Sequence, residues 1–204
     1  MICALVLAAG RSRRMGTQKL LLPVSNSTLI AHVVDQVLAG VVERVYVVVA
    51  PEGDAIAHEL SGRPVTIVAN PNAEAQMLDS VRCGLRALPA NCEAVLVALG
   101  DQPTLSSALI NEMVAAYRDS GQGIVVPAYG GRRGHPLLFA IRFRDEILTG
   151  HDEVGLRGLL RDHAEDVHEL RVTDSAVLSD MDYPEDYRRE LARFNRNAPN
   201  TPRA

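Results

Sequence analysis

The chain has 204 residues, enough for one α/β domain with a sizeable core. Its 47% apolar and 23% charged residues are those of an ordinary globular protein. The net charge of −4 speaks against a general nucleic-acid binder, which would carry a basic face, and no apolar run approaches the roughly 20 residues of a membrane helix.

The opening run from Ile2 to Ala8 has strand length and is almost wholly apolar, the pattern of a strand buried on both faces of a parallel sheet. A loop with Arg11, Arg13 and Arg14 follows. Leu29, Val33, Val34, Val37 and Leu38 recur at helical spacing, and Gly40 stands at a C-cap position. Val45–Val49 reads as a second buried strand, Glu52–Leu60 as a weaker helix, and Val65–Val68 as a third strand closed by the turn pair Asn70-Pro71. A helix over Leu78–Leu88 leads to a fourth strand, Ala94–Leu99, which runs straight into Gly100-Asp101-Gln102-Pro103. Beyond it come a helix over Leu109–Tyr117, a strand at Ile124–Val126, a Gly/Arg turn and a short strand at Leu137–Phe139. Helical pieces near Phe143–Leu148 and Gly155–Asp162, an alternating strand at Val167–Val172 and a helix opened by Pro184 complete the order. The expected fold is α/β, a mainly parallel sheet with helices on its faces, with residues 1–194 as one domain and 195–204 as a frayed tail.

The start MICALVLAAG lacks a basic n-region and is too short for a signal core. Cys3, Cys83 and Cys92 are odd in number, without CxxC spacing, and read as buried free thiols. Both observations suit a cytoplasmic protein.

Ligands of open α/β sheets bind outside the carboxyl ends of the strands. Three polar clusters fall there: residues 9–19, 70–80 and 100–103. They are expected to share one crevice. In the first, small residues at 8–10 let the backbone approach phosphate oxygens, while Arg14 and Lys19 can neutralise them. The spacing is neither a Walker A loop nor GxGxxG. Asp101 suits a Mg²⁺ ligand, because Mg²⁺ takes few protein ligands and keeps water and phosphate oxygens; the competing reading is a helix cap. Asp182 has the same two readings. His135, in Arg132-Arg133-Gly134-His135-Pro136, is either a contact to an acceptor phosphate or a turn residue. His32, His58, His151, His163 and His168 lack a supporting constellation and are expected at the surface.

Taken together, LAAGRSRRMGTQK, GDQP, RGHP and DMDYPEDY resemble, in order, four motifs of the MobA-like nucleotidyltransferases, and within them the molybdenum cofactor cytidylyltransferase (MocA-like) branch. The resemblance runs from Ile2 to about Tyr187. It implies a three-layer α/β/α, Rossmann-like fold of the nucleotide-diphospho-sugar transferase type. It implies a Mg²⁺-dependent transfer of NMP, CMP from CTP being favoured by LAAG, to the phosphate of molybdopterin. Leu7, Ala8, Ala9, Gly10, Ser12, Gly16, Asn70, Ser80 and Gly100 would line the nucleotide. Arg14, Lys19 and Asp101 would be catalytic, Asp101 and Asp182 would hold the metal, and Arg133 and His135 would meet the acceptor. A molybdoenzyme would be a partner.

The stretch 76–79 departs from the branch: Gln76 replaces a Gly, and Leu78 and Asp79 replace two Ser. Asp79-Ser80-Val81 is similar instead to the cytidylyltransferase of isoprenoid synthesis. Asp79 is expected to face a ribose hydroxyl, a base amino group or solvent. The alternatives are transfer to a sugar phosphate or other small phosphorylated acceptor, and a non-catalytic molybdopterin carrier. An RNA-binding role is disfavoured by the acidic balance.

Overall fold

This computed structural model describes residues 1–10, 18–179 and 183–197. The first apolar run forms β1 (Ile2–Ala8), buried along almost its whole length because sheet neighbours flank it and helices cover both faces. A small hairpin, β2 (Pro23–Val24) and β3 (Ser27–Thr28), leads into α1 (Leu29–Leu38) and was not legible in the sequence. The side chain of Thr28 caps α1 by accepting from the Ala31 N–H. There follow β4 (Arg44–Val49), α2 (Asp54–Glu59), β5 (Val65–Ala69), α3 (Met77–Ala87), β6 (Ala94–Leu99) and α4 (Ser107–Ser120). The chain continues through β7 (Ile124–Tyr129), β8 (Arg132–Arg133), β9 (Leu137–Ala140), α5 (Arg144–Thr149), α6 (Leu156–Asp162), β10 (Val167–Arg171) and α7 (Pro184–Asn197). The last helix thus runs past residue 195, where composition alone had set the start of a tail.

The large sheet has the order β10-β7-β9-β6-β1-β4-β5, with β8 paired to β7. Strands β1, β4, β5 and β6 are mutually parallel, β10 is parallel to β7, and β9 runs against both β6 and β7. The carboxyl ends of all six parallel strands therefore share one edge. The chain passes from β1 outward to β4 and β5, then returns to β6 on the other side of β1. That reversal puts a crevice beyond the ends of β1 and β6.

Alternation along β1 divides the core. Ile2, Ala4, Val6 and Ala8 pack with α1, α2 and α4 on one face, and Cys3 and Leu5 with α3, α5 and α6 on the other. The three-layer α/β/α arrangement follows. Two glycines are set by this packing. A Cβ on Gly84 would lie 2.8 Å from a Leu5 methyl, so its absence lets α3 come close to β1. A Cβ on Gly40 would lie 2.8 Å from Ile110, so this residue serves the α1–α4 contact, and Ala39 is the C-cap of α1.

Candidate active site

The crevice is built from three strand ends. Leu7 and Leu99 are register partners on β1 and β6, and the Gly100 N–H donates to the Leu7 carbonyl at 3.0 Å. A Cβ on Gly100 would stand 2.9 Å from that carbonyl and 3.0 Å from Ile30. Only glycine lets the chain turn there, and the turn carries Asp101 to the mouth of the crevice. Lys19 opens a short 3₁₀ turn, Lys19–Leu21, anchored by the buried Leu20. Its ammonium donates to Asp101 Oδ2 at 2.5 Å, although Lys19 is only 9% exposed. A buried lysine of this kind needs an anionic partner. Asp101 does not cap a helix; Ser106 caps α4, accepting from the Leu109 N–H.

The third wall comes from β5 and α3. The Asn70 N–H donates to the Val49 carbonyl, and the buried Asn70 amide donates to Ser80 Oγ at 3.2 Å. Asn70 Oδ1 also accepts from the Asn72 N–H. These bonds fix the β5 turn against the start of α3. The Gln76 N–H donates to Asp79 Oδ2 at 2.8 Å, the return half of a capping box. Asp79 thus serves in the cap of α3 and stays partly open to solvent, one of the places expected for it. The amino end of α3, favourable to anions, opens on the crevice.

Leu7, Ala9, Gly10, Lys19, Gln76, Met77, Ser80 and Asp101 line a cavity of about 300 Å³. The three polar clusters thus converge as their places at the strand ends implied. Ala8 is buried below the cavity and Gly100 lies behind Asp101. Met77, 48% exposed, is a lining residue that its sequence pattern did not disclose. Ser12, Arg14, Gly16 and Asp182 lie outside the described residues.

Beyond Asp101, a second cavity of about 340 Å³ is lined by Gln102, Thr104, Ser106, His135, Arg171 and Asp174 among others. A Cβ on Gly134 would lie 2.1 Å from the Val177 carbonyl, which accepts from the His135 N–H. The RGHP segment is therefore clasped against residues 175–178, and the clasp sets His135 at this cavity. Arg133 does not join it: its guanidinium bonds Glu169 on β10 at 2.7 Å.

The remaining histidines depart from the surface expectation in two places. His32 on α1 is half-buried and bonds the Pro103 carbonyl at 3.1 Å, bracing the loop after β6; burial lowers its pKa. The His151 ring is 7% exposed and bonds Glu146, which also bonds His163. Cys83 is half-buried, with its thiol on the Ala69 carbonyl, while Cys3 and Cys92 are buried as expected.

Asp101 offers a hard carboxylate whose Oδ1 takes no hydrogen bond among the described residues. That donor fits a small divalent cation that completes its shell with water and phosphate oxygens.

The sequence profile of the MobA-like NTP transferase domain matches residues 4–167. The chain belongs to the MobA-like NTP transferase family. It is a nucleotidyltransferase. It is 31% identical to the molybdenum cofactor guanylyltransferase of Mesorhizobium japonicum over 87% of this chain and 86% of that protein. It is 24% identical to the molybdenum cofactor cytidylyltransferase of Escherichia coli, over 91% and 93% of the two chains. It is also 28% identical to the nicotine blue oxidoreductase of Paenarthrobacter nicotinovorans, over 93% and 96%. Among solved structures, a nucleotidyl transferase from Methanothermobacter thermautotroptrophicus superposes with a TM-score of 0.84 at 28% identity, covering 96% of this chain and 98% of that one. Rv0371c of Mycobacterium tuberculosis, in complex with manganese, superposes with a TM-score of 0.78 at 25% identity, covering 94% and 98%. The MobA-like profile thus spans both the Lys19–Asp101 pair and the α3 wall of the cavity.

Proposed function

We propose that this MobA-like protein transfers CMP from CTP to the terminal phosphate of molybdopterin and releases pyrophosphate, with Mg²⁺ as the metal. The observation that carries this reading is the Lys19–Asp101 pair at the mouth of a cavity faced by the amino end of α3. The triphosphate lies between Lys19 and the backbone of Ala9 and Gly10, and Ser12, Arg14 and Gly16 of the same motif would bind it. Asn70 and Ser80 hold the α3 wall against the nucleoside. Asp101, with Asp182, would hold the metal; when bound, Mg²⁺ would neutralise triphosphate charge and orient the α-phosphorus.

An oxygen of the acceptor phosphate attacks the α-phosphorus in line. The new P–O bond forms as the bond to the β-phosphate oxygen breaks, and the pyrophosphate leaves with that electron pair. The acceptor phosphate is ionised at neutral pH, so no strong base is needed and catalysis rests on positioning and charge neutralisation. Lys19 moves from Asp101 to the triphosphate as the substrate enters, balancing the negative charge on the leaving group. His135 meets the acceptor from the far side of Asp101. Arg133, tied to Glu169, acts at most after that ion pair opens.

The base choice rests on LAAG and on the Escherichia coli relative. The test is equilibrium binding of CTP with Mg²⁺, measured against GTP and ATP. CTP binding that is lost in Lys19→Met supports the reading; equal binding of all three nucleotides overturns the cytidine assignment. The guanylyl-transferring relative at 31% identity makes GTP the second reading.

A further inference from the structure

On the face of the sheet covered by α5 and α6, two histidines and two carboxylates meet at one corner. Glu146 comes from α5, Asp162 ends α6, His163 follows it, and His151 stands in the loop between the two helices. His151 Nε2 bonds Glu146 Oε1 at 2.8 Å, and His163 Nε2 bonds Oε2 of the same carboxylate at 2.8 Å. His151 Nδ1 lies 3.8 Å from Asp162 Oδ2, too far for a hydrogen bond. Glu146, His151 and Asp162 each bring a metal-ligating atom within 4.8 Å of the others, the one such group among the described residues.

The backbone is shaped around the His151 ring. His151 has a φ of 68°, which residues other than glycine rarely adopt. The N–H groups of Val154 and Gly155 hold it there, donating to its carbonyl at 3.2 and 2.8 Å. A Cβ on Gly158 would lie 2.4 Å from His151 Nδ1, so the glycine makes room for the ring. The ring is 7% exposed and Asp162 is 42% exposed, which leaves the group closed on the protein side and open to entry from solvent. Hydrogen bonding alone accounts for Glu146 and its two imidazoles. It does not account for Asp162, which faces the ring edge without a bond to it and otherwise pairs, among the described residues, with the exposed neighbour Arg161.

We propose that Glu146, His151 and Asp162 hold a zinc ion, with water in the fourth position and His163 orienting Glu146 through its second oxygen. Bonds of about 2.0–2.1 Å at tetrahedral angles set ligand atoms about 3.3 Å apart, and the separations of 2.8 and 3.8 Å bracket that value. Two carboxylates and a neutral imidazole balance the charge of a divalent ion. The imidazole selects zinc over Mg²⁺, which keeps to oxygen donors. The ion pins the end of α5 to the end of α6. Arg82 of α3 grips the same corner, donating to the Ile147 carbonyl at 2.8 Å and the Gly150 carbonyl at 2.7 Å. The zinc site thus braces the helix whose amino end walls the crevice, and it is distinct from the carboxylate of Asp101.

The test uses the full chain, freed of metal by a chelator and kept in millimolar Mg²⁺. Zinc binding is followed by calorimetry, and ligand type by the visible absorption of the Co²⁺-substituted protein. Wild type should bind one zinc, which Mg²⁺ does not displace. Asp162→Asn and Glu146→Gln should each weaken zinc roughly tenfold or more, and His163→Gln about 10–100-fold. Asp162 is open enough to solvent for its variant to fold, and CTP binding by each variant checks that it has. Asp101→Asn should bind zinc as wild type does. No saturable zinc binding by folded wild type, displacement by Mg²⁺, or an affinity unaltered in both Asp162→Asn and Glu146→Gln would overturn the site. Loss of zinc in Asp101→Asn would overturn it as well, by placing the ion in the crevice.

Discussion

The Lys19–Asp101 pair permits a prediction that separates stability from catalysis. The charged atoms are 2.5 Å apart, and the side chains are 11% and 22% exposed. With an effective dielectric constant of about 20, their attraction is about 7 kcal/mol. Desolvating two largely buried ions costs several kcal/mol each. The net contribution of the intact pair is thus near zero, while removal of one partner takes from the other charge the opposite charge it is buried against. After allowance for the access of water to Asp101, Lys19→Met and Asp101→Asn should each destabilise by about 2–3 kcal/mol. The double variant should fall within about 1 kcal/mol of wild type. Pyrophosphate release should drop by about 10²–10³ in each single variant, and should not recover in the double one, because both groups act on the triphosphate. Urea unfolding of the four proteins measures the first effect and the transfer assay the second. Single variants as stable as wild type, or a double variant as unstable as the sum of the singles, would refute the argument that the two charges are buried against each other.

Three further outcomes follow from the same structure. Gly100→Ala places a methyl 2.9 Å from the Leu7 carbonyl; it should cost roughly 1–3 kcal/mol and, by displacing Asp101, reduce turnover by about 10²-fold, read by thermal melting and by the transfer assay. Asn70→Ala removes the Ser80 and Asn72 bonds of a residue only 3% exposed; it should destabilise by about 1–3 kcal/mol and raise amide exchange at residues 70–80. Burial pushes Glu146 upward, but hydrogen bonds from His163 and His151 outweigh it and hold its carboxyl below the usual 4.5. A depressed carboxyl stabilises the fold above its unfolded pKa, and that contribution fades as pH falls through the folded value. The stability gap between wild type and Glu146→Gln should therefore narrow as pH falls below about 4.5, as followed by urea midpoints across pH.

The strands and the convergence of the crevice were legible because they rest on local patterns. Continuous apolar runs at residues 2–8, 45–49 and 94–99 can only be satisfied in a sheet covered on both faces, and polar clusters at their ends must then meet. Other features are set by partners distant in sequence. Gly40 looked like a conformational cap but is dictated by Ile110. His151 looked solitary because Glu146, His163 and Asp162 gather around it only when α5 and α6 fold together. Asp79 also serves the cap of α3, bonding a backbone N–H three residues earlier, a role its charge alone did not disclose. The antiparallel insertion of β9 between β6 and β7 decides which loops lie beyond Asp101 on the carboxyl edge, and no local pattern encodes that order.

The most direct measurement is pyrophosphate release by the purified protein with Mg²⁺ and molybdopterin, with CTP, GTP and ATP supplied in separate reactions. Release is expected with CTP, little with the other two, and loss of release in Asp101→Ala protein that still unfolds cooperatively. Release with GTP or ATP in place of CTP would contradict the cytidine assignment, and full activity in Asp101→Ala would contradict the site itself.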